Sequence, residues 1–410
     1  MGSGVLGRIA ASVGTPTFVY DIAAVRRQYS ALDASLAAVP HRICYAVKAN
    51  SNLGLLRVMA SLGAGADIVS GGELARVLRA GFDPGTVVFS GVGKTPQEID
   101  AAITAGVGLI NLESAAELDI VAAAGARLNR TVAVGLRLNP DVTTNTHPYT
   151  QTGGKGMKFG IPIDEATAVA CRAADLKSIA LRGVGMHIGS QIKEQTPYRE
   201  GARKLESVVA DLRRAGITTL QSVDVGGGLG ISYTDEPGPT PDMFAQAVIP
   251  LAKATGLTLF TEPGRFLVGN AGSLLTRVLY RKRSGGREIV VVDAGMNDLL
   301  RPSLYNAHHD IRVLESAGNT GSDPVDVVGP LCESGDFLGM ERTLPGAAPG
   351  SLLEVRGAGA YAFSMSSQYN SRGRAAEVLL DGERYAIARS RETVDDLMRG
   401  ESRDPAWVSG

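Results

Sequence analysis

Between residues 43 and 265 the chain repeats one pattern eight times: a short β-branched apolar run, a turn, then polar or amphipathic sequence. The runs are Ile43–Ala49, Ala66–Ser70, Val87–Ser90, Leu109–Glu113, Val132–Asn139, Leu181–Gly189, Ser222–Gly228 and Thr258–Arg265. Short continuous runs of this kind read as strands buried on both faces. Leu53–Leu62 and Leu74–Ala80 between them read as amphipathic helices. Pro96–Ala105 is a third, with Thr95 as N-cap and Glu98 three residues on. Eight strands alternating with helices is the count that closes a parallel (β/α)8 TIM-type barrel. A doubly wound open sheet remains the alternative.

After residue 270 the pattern changes. Leu274–Arg281, Glu288–Asp293, Ser351–Arg356, Arg374–Leu380 and Arg384–Arg389 read as strands between Gly and Pro turns, with few helical segments. This predicts a C-terminal antiparallel β-barrel or sandwich domain. The strand-like Phe18–Asp21 is a candidate to join it. A chain of 410 residues is comfortable for two such domains. The predicted division is a barrel over 22–268 and a β-rich domain of 1–21 plus 269–410.

The charge balance removes several function classes. With 41 Lys+Arg against 42 Asp+Glu, net charge −1, there is no electrostatic footprint for nucleic acid or an anionic membrane. Charges interrupt every long apolar stretch, so no span of about 20 apolar residues is present. Residues 1–16 lack the basic start and apolar core of a signal peptide. Cys44, Cys171 and Cys332 are far apart and odd in number, which argues against disulfides or a zinc cluster and fits a reducing cytoplasm. No metal is expected: the His308-His309 pair has no Cys or carboxylate at ligand spacing.

In a barrel of this kind reactive side chains stand at the C-terminal strand ends. Those ends carry Lys48, Asp67 with Ser70, Ser90, Glu113, Arg137, His187, Gly226-Gly227-Gly228, and Glu262-Pro263-Gly264-Arg265. A lysine ending an apolar strand is desolvated, which predicts a lowered pKa and a nucleophilic amine; the plainer reading is a lysine that snorkels to solvent. The glycine run offers N–H groups with no Cβ in the way, which suits a phosphate; the plainer reading is a turn. It is not a dinucleotide fingerprint, because Ile231 stands where the last glycine belongs. Glu262 with Arg265 reads equally as a surface ion pair, and His187 as a core histidine. Cys332, flanked by Glu333, Gly335 and Asp336, is unlike a core cysteine.

Taken together and in this order, the motifs resemble the pyridoxal-phosphate-dependent decarboxylases of the alanine-racemase-like fold, above all the branch acting on diaminopimelate. The resemblance spans Phe18-Val19-Tyr20-Asp21 to Arg391-Glu392-Thr393. It is carried by Tyr45–Asn50, His187–Gln191, Gly226–Gly230, Glu262–Arg265, Arg301–Tyr305, Pro330–Phe337, Gly357–Tyr361 and Met365–Arg372. Gly373, where the family commonly has proline, and Gln368, where Asn is frequent, are small departures.

The resemblance implies decarboxylation of meso-2,6-diaminopimelate to L-lysine and CO2, the last step of lysine biosynthesis, by a cytoplasmic lyase that uses pyridoxal 5'-phosphate. It implies that Lys48 carries the cofactor, that Gly226, Gly227, Gly228, Gly264 and Arg265 hold its phosphate with Ser190 nearby, and that Asp67 belongs to the same pocket. An anionic Glu262 faces the pyridine nitrogen and keeps it protonated, and His187 stacks on the ring. Arg265, Arg301 and Tyr305 grip the distal carboxylate of the substrate, Glu333 its distal ammonium, and Tyr361 reaches both cofactor and substrate. Cys332 is the general acid. The implied unit is a homodimer whose active sites are shared across the interface, the β-rich domain completing them. Three alternatives remain: a decarboxylase of another basic or carrier-bound amino acid, a racemase, and a non-catalytic cofactor carrier. Glu262 argues against a racemase, which would use an arginine at the pyridine nitrogen.

Overall fold

Strands of three to eight residues build the first of two units, and each is too short to bury itself without neighbours on both edges. The computed structural model describes residues 1–142, 153–154, 156–321 and 323–408. The first unit comprises Ile22–Ala271 with Gly359–Ser364. Its strands are His41–Ala46, Gly65–Ile68, Val87–Phe89, Leu109–Leu112, Val132–Asn139, Ile179–Met186, Ser222–Asp224 and Thr258–Thr261. Each runs parallel to the next, and the eighth returns to the first, with Thr261 opposite Ile43, so the barrel closes. A two-residue strand, Ile161–Pro162, adds to the fifth. The open-sheet alternative is thereby excluded.

Local chemistry sets the element ends. Ser222–Asp224 stops four residues short of the predicted run because Asp224 Oδ1 accepts from Gly226 N at 2.8 Å, turning the chain out of the ladder. Thr258–Thr261 also stops early, and Arg265–Val268 is a helical turn. The helix predicted from Leu74 starts at Gly71, since Ser70 accepts from Glu73 N and is its N-cap. Pro96–Ala105 has the predicted bounds, with the Thr95–Glu98 capping box formed and Gly106 left-handed at its end.

The second unit comprises Met1–Asp21, Gly272–Ala358 and Met365–Gly410. Its centre is the long strand Gly272–Ser284, paired antiparallel with Thr17–Asp21, Arg287–Val292 and Leu352–Arg356. The sheet is mixed rather than purely antiparallel: Thr17–Asp21 runs parallel to Ala376–Asp381, and Arg287–Val292 parallel to Pro324–Val328. Long connections allow this, because parallel neighbours need a crossover. The strands Ile311–Glu315, Pro324–Val328 and Phe337–Thr343 were not predicted; each is short and interrupted by charge. Helix Ser3–Val13 buries Val5, Leu6, Ile9 and Ala10 against Val19, Leu275, Leu352 and Val378.

Candidate active site

The barrel unit gathers Lys48, Asp67, His187, Ser190, Gly226–Gly228, Glu262, Gly264, Arg265 and Tyr361 at the C-terminal ends of its strands. Lys48 sits in the single turn Val47–Ala49 that follows the first strand. Its Nζ donates to Asp67 Oδ2 at 2.5 Å, and 35% of its side chain stays open. Burial lowers its pKa, but Asp67, with Tyr361 and Glu262, outweighs burial and holds the ammonium above its ordinary range. The expected lowered pKa is therefore reversed: a fully buried carboxylate at hydrogen-bond distance overrides desolvation.

Glu262 and Asp224 are both buried and act on each other. Burial, then Asp224 and Asp67, push the Glu262 carboxyl well above its usual range; Lys48 and Arg137 pull it down. Burial likewise pushes Asp224 up to about 6. An anionic Glu262 thus needs a further cation beside it, such as a protonated ring nitrogen. His187 accepts from Gly227 N through Nδ1 at 3.1 Å. Burial, Arg137 and Lys48 hold its pKa well below the usual value, so the imidazole is neutral with its proton on Nε2.

The glycine run works differently from the prediction. The N–H groups of Gly226 and Gly227 donate within the protein, to Asp224 and His187, and are not free for a phosphate. What the run supplies is close backbone approach. A Cβ on Gly226 would lie 2.5 Å from Met186 O, one on Gly227 2.1 Å from Glu262 O, and one on Gly228 2.3 Å from Gly189 O. Gly226 and Gly228 also have positive φ. Gly264 packs its bare face on Ala46 and Ala49.

Arg265 is buried and is no surface ion pair. It donates from Nη1 to the Tyr233 hydroxyl at 2.6 Å and from Nη2 to Ser190 Oγ at 3.1 Å, with its guanidinium carbon 4.8 Å from the Tyr361 ring centre. Tyr361 is left-handed, with φ 56°, and its N–H donates to Ala49 O at 2.8 Å. Other polar strand ends have structural partners. Glu113 accepts from Gly91 N, Gly160 N and Arg137 Nη1, and Ser90 accepts from Asn111.

Sequence reading did not single out Asp224, Tyr233 or Glu73. Burial pushes Glu73 up to about 7, and its Oε2 accepts from Val69 N. An acid at the end of a buried strand, two residues before a glycine run, was the available signal for Asp224.

The β-rich unit holds the remaining candidates. Arg301 and Tyr305 lie on the short helix Arg301–Tyr305, and Arg301 is buried. Cys332 is exposed in a turn, its N–H donating to Asn370 Oδ1 at 2.9 Å. The Tyr369 hydroxyl donates to Glu333 Oε2 at 3.4 Å. Asp336 accepts from Met296 N at 2.6 Å and from Leu331 N at 2.7 Å, and Ser303 donates to Gly335 O at 2.5 Å. These bonds tie the helix and the Cys332-Glu333 turn together.

A pyridoxal phosphate fits the barrel residues. Asp67 Oδ1 is a buried carboxylate oxygen with no hydrogen-bond partner among the described residues, beside the accessible Lys48 amine. Arg265 Nε is a buried donor also without an acceptor there, as an anionic group would require. The family model of the pyridoxal-dependent decarboxylases, pyridoxal binding domain, matches residues 22–269. The chain belongs to this family. Proteins similar to it include the curated diaminopimelate decarboxylases of Pseudomonas aeruginosa, 50% identical over 98% of this chain and 96% of that protein, and of Neisseria meningitidis serogroup B, 47% identical over 96% and 94%. The crystal structure of the Helicobacter pylori diaminopimelate decarboxylase complexed with L-lysine superposes with a TM-score of 0.92 at 38% identity, covering 96% of this chain and 98% of that one. A lysine/ornithine decarboxylase from Vibrio vulnificus, at 22% identity and a TM-score of 0.80, shares the fold.

Proposed function

We propose that this decarboxylase converts meso-2,6-diaminopimelate to L-lysine and CO2. The observation that carries the reading is similarity along the whole chain, both units included, to diaminopimelate decarboxylases at up to 50% identity. Pyridoxal phosphate, when bound, supplies the electron sink for the charge left as CO2 departs. Lys48, paired with Asp67, would hold it. Glu262 would meet the ring nitrogen, and the neutral His187 would lie against the ring. Ser190, Gly226–Gly228, Gly264 and Arg265 line the phosphate and Tyr361 borders both cofactor and substrate. Arg301 and Tyr305, with Arg265, take the distal carboxylate, and Glu333 the distal ammonium. The Cys332 thiol then delivers one proton to the carbon that lost CO2. Losing CO2 and gaining that proton balances the reaction.

The working unit in this reading is a homodimer, Cys332 and Glu333 of each copy serving the other copy's barrel. The reading is of a cytoplasmic enzyme; no helix among the described residues is long and apolar enough to cross a membrane. The test is a product assay with a panel of diaminopimelate, lysine, ornithine and arginine. CO2 and lysine from diaminopimelate at the highest kcat/KM are expected. Preference for lysine, ornithine or arginine, or no turnover at all, refutes the reading.

A further inference from the structure

We propose that His309 is a positioning residue that holds the Arg301 guanidinium in its substrate-binding orientation. The proposal rests on the reading of Arg301 as the grip on the distal carboxylate. His309 is fully buried. Its Nδ1 lies 2.8 Å from Arg356 O, and its Nε2 lies 2.7 Å from Arg301 Nη1. These two neighbours determine the proton. A carbonyl oxygen only accepts, so Nδ1 carries the hydrogen. A guanidinium nitrogen only donates, so Nε2 must present its lone pair. A neutral ring with the proton on Nδ1 satisfies both contacts, whereas a charged ring would set N–H against N–H.

The ring is held rigidly. Helix Arg301–Tyr305 ends at Asn306, whose φ of 49° turns the chain back, and the Ala307 N–H donates to Arg301 O. The chain then enters strand Ile311–Glu315, with Ile311 opposite Val355 and the Arg356 N–H donating to Asp310 O at 2.8 Å. His309 thus adds a side-chain rung to a strand pair and lends that stiffness to Arg301, eight residues earlier. A binding side chain is only as well placed as its support.

Two amide substitutions separate the roles of the two nitrogens. His309→Gln puts an acceptor near the position of Nε2 and gives up the bond to Arg356 O. His309→Asn keeps a donor near the position of Nδ1 and removes the acceptor that meets Arg301 Nη1. In steady-state assays on the loaded enzyme, His309→Asn should raise KM for diaminopimelate about tenfold, the worth of a hydrogen bond to a charged group, with kcat little changed. His309→Gln, which keeps the acceptor for Arg301 and loses only the rung to Arg356 O, should raise KM less than His309→Asn, with kcat little changed. The reverse order, equal impairment, or two native-like variants overturns the proposal. A measurement on the native protein needs no variant: with 15N-labelled histidine, the His309 resonance at neutral pH should show Nδ1 protonated and Nε2 bare. A proton on Nε2 overturns the proposal, whatever the variants do. If native enzyme releases no CO2 from diaminopimelate, the substrate reading fails, and the tautomer still decides the His309–Arg301 contact.

Discussion

Lys48 reverses a simple rule about burial. An amine at the end of an apolar strand should lose its proton easily, yet the carboxylate of Asp67, nineteen residues on, keeps it charged. The strand pattern put both residues at one end of the barrel, but their direct contact arises only when strands one and two pair. Glu262 shows the same coupling with the opposite sign: two buried acids beside it disfavour its charge. Glu262→Gln removes the carboxylate read as the partner of the ring nitrogen and leaves Asp224 and Asp67 in place. It should lower kcat by about 10- to 100-fold, the worth of roughly 1.5–3 kcal/mol for a charged hydrogen bond, while the cofactor stays bound. Unchanged turnover by a loaded variant would rule out the role. Borohydride treatment of the native enzyme should fix the cofactor on Lys48; peptide mapping that finds it on another lysine removes Lys48 from the anchor position.

Among elements, the glycine loop after the seventh strand was legible as a special turn but not in its mechanism. Its glycines are there because three strand ends converge on it, and its first two N–H groups are already bonded. Gly227→Ala places a Cβ 2.1 Å from a backbone oxygen, so the loop must shift. A loss of about 1–3 kcal/mol is expected from overpacking, with weaker retention of cofactor absorbance. Gly93→Ala, where a Cβ meets nothing within 4 Å, is the matched control. Thermal melts of both variants check the difference.

The loop before helix Arg301–Tyr305 carries a second element-scale consequence. Asp298 is buried, accepts from Gly295 N, and burial pushes its pKa up to about 7 from 3.8. An acid whose pKa is raised on folding contributes stability at low pH, and that stability is lost as pH rises toward 7. Asp298→Asn removes the titration. Native protein should melt progressively lower relative to the variant as pH rises from about 4 to about 7, with the gap levelling off above that. A constant gap in melting temperature over that range contradicts the assignment.

At the scale of the whole molecule, the candidates divide between two units: the cofactor set lies in the barrel, and Arg301, Tyr305, Cys332 and Glu333 lie in the β-rich unit. If active sites are shared in a two-fold dimer, Lys48→Ala and Cys332→Ala proteins, each nearly inactive alone, should complement after subunit exchange. Each heterodimer then has one intact site, so recovery reaches up to about a quarter of native activity. No recovery despite proven exchange means that Cys332 acts within its own chain or not at all.

Sequence alone determined the alternation of the barrel, the helix cap at Thr95, and the residue types at the strand ends. These depend on neighbours within a few positions, where side-chain period and capping chemistry act directly. Tertiary structure decided which of the polar strand ends are structural: Ser70 became a cap, and Glu113 the partner of Arg137. It also decided the parallel pairings of the second sheet and every protonation state, because a pKa is set by burial and by charges that only folding brings near.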